Sequence, residues 1–219
     1  SYQSLYLKVY YPLEFMISVI NNEGGFYRTE VYIHEAKMSG ATIHNPCVNT
    51  SDLMAILQGK DIYLGFHHLD SFSDAVAQNI VENREANGVF ISLEDFVKRI
   101  PIGIETLQIL IFIGAFRFTQ KEKNELLVEA RLLLGNFKLE NRSTTLFQEP
   151  TVDYQLPTLQ RSEFEDAFDE IEIIGFPISC SPFDLLKTQY RGSVFVKDLL
   201  QYHKKKIKML AYLISRKHV

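Results

Sequence analysis

The sequence predicts a mainly α-helical protein with small β elements, and three observations support this fold class. Apolar residues recur at helical spacing in most segments. A serine or threonine followed three positions later by an acidic residue precedes several of those segments, as at helix starts. One pair of short apolar runs flanks a turn sequence, as in a β-hairpin. The 219 residues, 46% of them hydrophobic, suffice for one large domain or two small ones.

The N-terminal part of the chain has a helical pattern. Apolar spacing over residues 4–20 predicts a helix that Pro12 interrupts, because proline lacks an amide hydrogen and clashes with the preceding turn. A second helix is predicted from about residue 26 to 39, and Gly40 is placed to end it. Residues 41–52 show no helical period and are predicted to be extended.

The middle of the chain combines a hairpin with several helices. Residues 55–64 contain two apolar runs around a Gln-Gly-Lys-Asp turn and predict a β-hairpin. Ser92 with Asp95, and Thr119 with Glu122, have the spacing of capping boxes and predict two helix starts. The predicted helices span residues 73–88, 92–99, 105–113 and 119–135.

The last third of the chain is predicted to be a linker followed by short elements. Residues 136–161 contain two prolines, many polar residues and little periodicity, which is typical of a linker. Ser162 with Glu165 predicts the start of an acidic helix, and Ser181–Pro182 predicts another short helix. Met209–Ile214 is a continuous apolar run between basic residues and predicts a buried strand.

Charge is distributed unevenly along the chain. The formal net charge of -4 argues against a protein that coats DNA by charge alone. Acidic residues gather on the predicted acidic helix, which we interpret as a solvated face: Glu163, Glu165, Asp166, Asp169, Glu170 and Glu172. Basic residues gather after Lys187: Lys204, Lys205, Lys206, Lys208, Arg216 and Lys217. Any DNA-facing surface is therefore expected to be local.

Several kinds of site are not predicted. No stretch of 18 apolar residues and no charged-then-apolar leader occur, so the sequence predicts no membrane partner. Cys47 and Cys180 lie far apart and are interpreted as reduced thiols of a cytoplasmic protein. His34–Glu35 lacks the second histidine of a zinc HExxH site, and the adjacent His67 and His68 are not expected to share one metal. We expect no cofactor in this chain.

The helix, tight turn and helix over residues 92–113 carry the clearest functional pattern. In an apolar-Gly-apolar turn such as Ile102-Gly103-Ile104, the backbone can approach a phosphate. The N–H groups that open the next helix then point at the anion without sequence preference. Core packing is the alternative interpretation, and Glu105 stands where a neutral or basic residue would suit a phosphate better. A possible first copy at residues 67–72 lacks the usual glycines.

Four blocks of sequence resemble the alpha subunit of bacterial DNA polymerase III. They are SYQSLYLKVYYPLEF (1–15), GVFISLEDFVKRI with LQILIFIGAF (88–116), EIEIIGFPISCSPFDLL (170–186) and LAYLISRK (210–217). In that family's order they correspond to the fingers, the end of the helix-hairpin-helix region, a Gly-Phe-x-x-Ser-x-x-Pro segment and the opening of the OB-fold. The resemblance spans nearly the whole chain and implies a piece cut from a larger replication protein.

The resemblance implies a domain order and a parent activity. The expected parts are the end of the fingers (1–54), a β-hairpin with a tandem helix-hairpin-helix DNA-binding domain (55–135), a linker with a clamp-binding motif (136–161), a helical segment (162–190) and a truncated OB-fold start (191–219). The parent would catalyse template-directed DNA synthesis with Mg²⁺ held by palm aspartates. Nothing in this chain resembles the palm motif, so a non-catalytic segment is expected.

The first predicted binding site faces the DNA backbone. Gly103, Thr106, Lys121 and Lys123 are expected to contact phosphates of duplex DNA. Gly103 and Thr106 belong to the turn and the start of the helix after it, and the two lysines follow the predicted helix start at Thr119. The lysines are equally compatible with a solvated surface.

The second predicted site would bind a sliding clamp, and other replisome subunits are expected partners as well. It comprises Ser143, Thr144, Thr145, Leu146 and Phe147, which lie where the family carries a Gln-x-x-Leu-Phe motif. Leu146 and Phe147 would be paired apolar anchors entering a preformed pocket. Ser143 replaces the glutamine, so one hydrogen-bonding anchor is lost. Alternatively, the two apolar residues pin the linker onto the domain.

Two rival classes of function remain open at this stage. The chain could be a structural or protein-interaction region with no direct grip on DNA, since residues 60–135 contain more acidic than basic residues. It could also be a stand-alone replication accessory protein. Salt-dependent DNA binding separates the first rival, because phosphate contacts release counterions and apolar contacts do not.

Overall fold

The computed structural model describes residues 2–22, 25–140 and 164–214, and its fold is mainly α with one small sheet. The helices are α1 Tyr2–Tyr10, α2 Pro12–Asn21, α3 Thr29–Met38, α4 Asp74–Asn87, α5 Leu93–Arg99, α6 Ile104–Phe112, α7 Lys123–Glu140 and α8 Glu165–Ile173. Short 3₁₀ helices lie at Phe66–His68, Arg117–Thr119 and Val196–Tyr202. The predicted fold class is confirmed.

The N-terminal helices break and end at the predicted residues. Pro12 is the first residue of α2, where a proline costs no hydrogen bond. Gly40 follows α3 with φ 94°, a left-handed conformation that glycine adopts without strain. Asn21 at the end of α2 exchanges two hydrogen bonds with the backbone of Ala55, at 2.8 and 2.9 Å. These bonds fix α2 against the hairpin that follows.

The sheet has three short strands in the order β1-β3-β2, where β1 is Thr42–His44, β2 is Ile56–Gln58 and β3 is Asp61–Tyr63. Strands β2 and β3 form the predicted antiparallel hairpin, and Gly59 in its turn has φ 65°. The segment predicted only to be extended supplies β1, which pairs with β3 in parallel and places Ile43 opposite Ile62.

Two hydrophobic cores organise the molecule. The sheet core joins α2, α3 and the sheet through buried side chains that include Met16, Ile20, Ile33 and Ile62, and also takes in Phe176 and Ile178. The hairpin core is formed by residues on α4, α5, α6 and α7 and by Ile173 on α8. The aromatic members Phe90, Phe96 and Phe116 stack edge to face with centroids 5.0 Å apart in each pair. Ile174 packs against both cores.

The boundaries of α7 differ from the sequence prediction at both ends. Thr119 does not cap it, because the Thr119 hydroxyl donates back to the Phe116 carbonyl at 2.8 Å within a 3₁₀ helix. Gln120 then adopts φ 57°, and the helix begins at Lys123. The predicted end at Gly135 is also wrong, since α7 continues to Glu140. Packing of Leu134 on the hairpin core offsets the cost, about 1 kcal/mol, of an interior glycine.

Three predictions for the C-terminal third are wrong. The acidic helix begins at Glu165 with Phe164 at its N-cap, so the predicted cap position is wrong; Ser162 lies outside the described residues. Ser181–Pro182 opens a single turn closed by the Asp184 amide on the Ser181 carbonyl, too short to propagate as a helix. Met209–Ile214 is not a strand, because no neighbouring strand in the described part of the chain offers it a hydrogen-bonding partner.

Candidate nucleic-acid interface

The turn between α5 and α6 presents its glycine to solvent. Ile102 and Ile104 pack against the hairpin core on either side of Gly103, so the two apolar residues face inward and the glycine faces outward. Gly103 is the N-cap of α6 with φ -81° and ψ 160°, which any residue adopts. A Cβ built on it would meet nothing within 4 Å. The space in front of this backbone is therefore open.

The amide groups that open α6 follow directly after Gly103 and have no side-chain cap. The first N–H groups of a helix lack intrahelical acceptors, and Gly103 has no side chain to cap them. The Leu107 amide is the first to bond back, to the Gly103 carbonyl at 3.0 Å. Thr106 is half-buried in this first turn, and Glu105 is exposed there. The helix dipole adds partial positive charge at this end, which suits an anion.

The two lysines of the predicted DNA site are engaged within the protein. Lys121 pairs with Glu129, with 2.7 Å between Nζ and Oε2. Lys123 pairs with Asp166 at 2.7 Å and also with Asp169, and only 13% of its side chain is exposed. Lys123 thus ties the start of α7 to α8. The geometry favours a structural role for Lys123 over a phosphate contact, while its predicted DNA contact stays a prediction.

Three arginines of the hairpin region also bind internal groups. Arg84 donates to the carbonyls of Val48 and Ser51 at 3.0 and 2.7 Å, and Arg117 donates to that of Asn45 at 2.9 Å. Arg99 donates to Asn83 Oδ1 at 2.8 Å and to the Gly88 carbonyl at 2.8 Å, which holds the α4–α5 connection. The sequence identifies these residues only as basic. The cationic groups of these three arginines are therefore engaged within the fold.

The acidic helix is only partly a solvated face, which corrects the sequence interpretation. Glu170 on α8 is 2% exposed. Its Oε2 accepts hydrogen bonds from the Ile178 amide at 2.6 Å, from the Ser179 amide at 2.8 Å and from the Ser179 hydroxyl at 2.9 Å. Its Oε1 accepts a bond from Asn45 Nδ2 at 2.7 Å. The donors lie up to 125 residues away in sequence, so local charge patterning does not reveal them.

Two titratable groups lie beside this carboxylate. Burial lowers the pKa of Lys37, an effect that the negative charge of Glu170 opposes. The Lys37 ammonium donates to the Ile178 carbonyl at 2.8 Å. Burial raises the pKa of the Cys180 thiol, and Asp184 and Glu170 raise it further. Cys180 is therefore held as a neutral thiol and is a poor nucleophile.

The described residues form neither a metal-ligand cluster nor a membrane-spanning helix. Within residues 2–22, 25–140 and 164–214, no group of three or more His, Cys, Asp or Glu side chains is placed to hold a metal ion. His67 bonds Asp74 through Nδ1 at 3.1 Å. None of the helices in those ranges is long and apolar enough to cross a membrane. The predicted clamp-binding residues Ser143–Phe147 lie outside the described residues.

Comparison with known proteins identifies the family. The family described as "Helix-hairpin-helix motif" matches residues 40–126, from the sheet to the start of α7. DNA polymerase III subunit alpha of Aquifex aeolicus is 29% identical over 98% of this chain, and that of Campylobacter jejuni is 30% identical over 91%. The chain is homologous to a segment of the DNA polymerase III alpha subunit. An error-prone DNA polymerase of Mycolicibacterium paratuberculosis is 30% identical over 52% of the chain.

The alpha-subunit homology concerns a limited part of those relatives. The chain spans 18% of the length of the Aquifex and Campylobacter proteins. The matched motif, at residues 40–126, includes α4, α5 and α6, and therefore the α5–α6 hairpin with the Gly103 turn. The exposed Gly103 turn lies within residues 40–126, the part of this chain that matches the helix-hairpin-helix family.

Proposed function

We propose that this chain is a DNA-binding, non-catalytic segment of a replicative DNA polymerase. The observation that carries the proposal is the Gly103 turn, where open space lies in front of a glycine and the amides that open α6 have no side-chain cap. Its place inside a helix-hairpin-helix match in an alpha-subunit homologue supports a DNA phosphate as the ligand. Nucleotidyl transfer and its Mg²⁺ would belong to a palm outside these 219 residues.

The mode of binding follows from what the hairpin region leaves exposed. Backbone amides carry no sequence information, so the contact would position duplex DNA without reading bases. The net charge of the region does not attract DNA, and most of its cationic groups named above already have internal partners. Charge-assisted hydrogen bonds from two or three amides would supply the local affinity. Such a surface suits an enzyme that slides along its template.

Replacing Gly103 with alanine tests this contact directly. The added methyl enters the open space that a phosphate would occupy, while the backbone dihedrals remain allowed. We expect the dissociation constant for duplex DNA to rise about tenfold, because hydrogen bonds to a charged group contribute about 1.5–3 kcal/mol. Alanine is a poorer N-cap than glycine by up to about 1 kcal/mol, so the fold should survive.

The matched control is Gly135→Ala. Gly135 lies within α7, and a Cβ there would also meet nothing within 4 Å. Its DNA affinity, measured by fluorescence anisotropy, should equal that of the unmodified chain. Equal affinity of Gly103→Ala and Gly135→Ala would favour the rival function, a structural or protein-interaction region that does not grip DNA.

We further propose that the segment between α7 and α8 binds a sliding clamp. The support is the sequence alone, with Leu146 and Phe147 as paired apolar anchors between polar residues. Both flanking helices pack on the hairpin core, through Leu134 on α7 and Ile173 on α8. An anchoring peptide that leaves the domain and returns to it would tether the clamp close to the DNA contact.

Phe147→Ala should weaken binding to a bacterial sliding clamp by at least about thirtyfold, because a buried aromatic anchor contributes roughly 2 kcal/mol or more. Surface plasmon resonance on immobilised clamp measures the change. Phe26→Ala is the control, since Phe26 is 89% exposed and lies far from the segment in sequence. Undiminished binding by Phe147→Ala would instead support the alternative in which this residue pins the linker to its own domain.

A further inference from the structure

The C-terminal part of the described chain contains a basic loop that the hairpin does not explain. Residues 187–208 contain seven lysines and arginines and one acidic residue, a net charge of +6 in a chain whose net charge is -4. The seven basic residues are exposed: Lys187, Arg191, Lys197, Lys204, Lys205, Lys206 and Lys208. The reversal of charge is therefore confined to one short segment.

The two ends of this segment lie side by side. The Tyr190 hydroxyl donates to the Lys208 carbonyl at 3.1 Å, and Lys208 Nζ lies 4.9 Å from the centre of the Tyr190 ring. A Cβ on Gly192 would lie 3.3 Å from the Leu210 amide nitrogen. Residues 190–210 therefore form a closed surface loop, here called the lysine loop.

The far side of the lysine loop concentrates positive charge on a tight turn. The Lys205 amide donates to the Tyr202 carbonyl at 3.0 Å, and Lys204 has the left-handed φ of 61°. This turn places three consecutive exposed lysines, Lys204–Lys206, next to one another. Like charges on neighbouring residues repel one another, and a bound polyanion would neutralise that repulsion.

These lysines differ in their partners from four lysines of the protein body. Within the first 140 residues, Lys8, Lys98, Lys121 and Lys123 each form an ion pair with a carboxylate. Among the residues that the structure describes, none of the lysines of the lysine loop forms an ion pair. Their charges remain available to an external anion.

We propose that the lysine loop is a second polyanion-binding surface that takes the phosphodiester backbone of a nucleic acid. The choice of nucleic acid rests on the proposed function, in which the same chain already meets DNA at Gly103. The two surfaces would act by different physics. The Gly103 amides are neutral and position one phosphate, whereas each lysine of the loop neutralises a phosphate and releases a counterion.

The salt dependence of binding tests the proposal on the full 219-residue chain. In Lys205→Gln/Lys206→Gln, the slope of log affinity against log salt for a labelled duplex should fall by about 2, at roughly 0.9 per lost phosphate contact. The unmodified chain should bind the duplex more tightly than the variant at about 50 mM salt. The ratio of their dissociation constants should then fall about tenfold as the salt is raised to about 200 mM. The same titration with a single-stranded oligonucleotide, for which each phosphate contact contributes about 0.7 to the slope, shows whether the loop prefers single-stranded or duplex nucleic acid.

The control double variant, Lys8→Gln/Lys60→Gln, changes the net charge equally at sites outside the loop and should leave the slope unchanged. Gly103→Ala should lower affinity with little change in slope, so failure of the hairpin contact and failure of the loop contact give different results. The proposal is overturned by an unchanged slope in the loop variant, or by an equal fall in the control. It is also overturned if polyglutamate competes as well as an oligonucleotide of equal charge, which would indicate an acidic protein partner.

Discussion

Replacing Glu170 with alanine should destabilise the chain by about 3–5 kcal/mol, among the largest effects expected of any single substitution. The carboxylate is buried and accepts bonds from two amides, one hydroxyl and one side-chain amide. Removing it leaves those donors without acceptors in a region that water does not reach. The loss also detaches residues 178–179 from α8, and thereby loosens Ile178 in the sheet core. Urea denaturation followed by circular dichroism measures the change.

Two further variants show that the effect belongs to this carboxylate. Glu172→Ala removes an exposed glutamate on the same helix and should change stability by less than about 0.5 kcal/mol. Glu170→Gln keeps the shape of the side chain and one acceptor oxygen. Its free energy of unfolding should therefore lie between those of the two alanine variants. If Glu170→Ala and Glu172→Ala unfold at the same urea concentration, the buried carboxylate does not stabilise the fold in this way.

Gly65→Ala should destabilise the chain by about 3 kcal/mol through steric conflict alone. A Cβ at this position would lie 2.3 Å from the Leu53 carbonyl oxygen and 2.4 Å from the Met54 carbonyl carbon, both backbone atoms. Gly65 has φ -81° and ψ 161°, so no backbone strain contributes. Relief requires the backbone at Gly65 to move away from residues 53–54, which stretches the bond from the His67 amide to the Leu53 carbonyl, now 3.0 Å.

Gly135→Ala again serves as the control, with an effect of opposite sign. That glycine lies within α7 in open space, so alanine should stabilise the helix by up to about 1 kcal/mol. Thermal unfolding of the two variants compares them under identical conditions. A Gly65→Ala protein as stable as the unmodified chain would show that the Leu53–Gly65 approach is not a tight contact in solution.

Local signals in the sequence predicted the elements that local physics determines. Pro12 separates α1 from α2, and the Ser92 hydroxyl accepts a bond from the Asp95 amide at 3.0 Å as the capping box predicted. The hairpin around Gly59 and the glycine turn at Gly103 also lie where the pattern placed them. In each case the residues that determine the conformation are within a few positions of one another.

Most of the misses have a different cause, since their outcome depends on distant partners. Thr119 is the exception, a good capping residue whose hydroxyl bonds the nearby Phe116 carbonyl instead. At Gly135, packing of the neighbouring Leu134 on the hairpin core offsets the cost of a glycine within a helix. Glu170 was assigned to a solvated face because its donors, Asn45 among them, are remote in sequence. The apolar run at residues 209–214 has the composition of a strand, but a strand forms only where another strand can pair with it.

The positions of the candidate residues in the fold were predicted in part, while their contact with DNA stays a prediction. The sequence pointed to Gly103 and Thr106 through the apolar-Gly-apolar turn, and the structure places both at the open N-terminus of α6. Lys121 and Lys123 were predicted from their charge, which the sequence shows. Their carboxylate partners depend on the packing of α7, which the sequence does not show. Charge along a chain is a poor guide to charge available at a surface.

The measurement that tests the central claim most directly is a titration of the isotopically labelled 219-residue chain with short duplex DNA, followed by amide resonances. Binding through the backbone at the Gly103 turn predicts that the amides of Gly103, Ile104, Glu105 and Thr106 shift most strongly, and that Gly103→Ala reduces those shifts. Saturation of the protein with duplex while these four amides stay unmoved would contradict it.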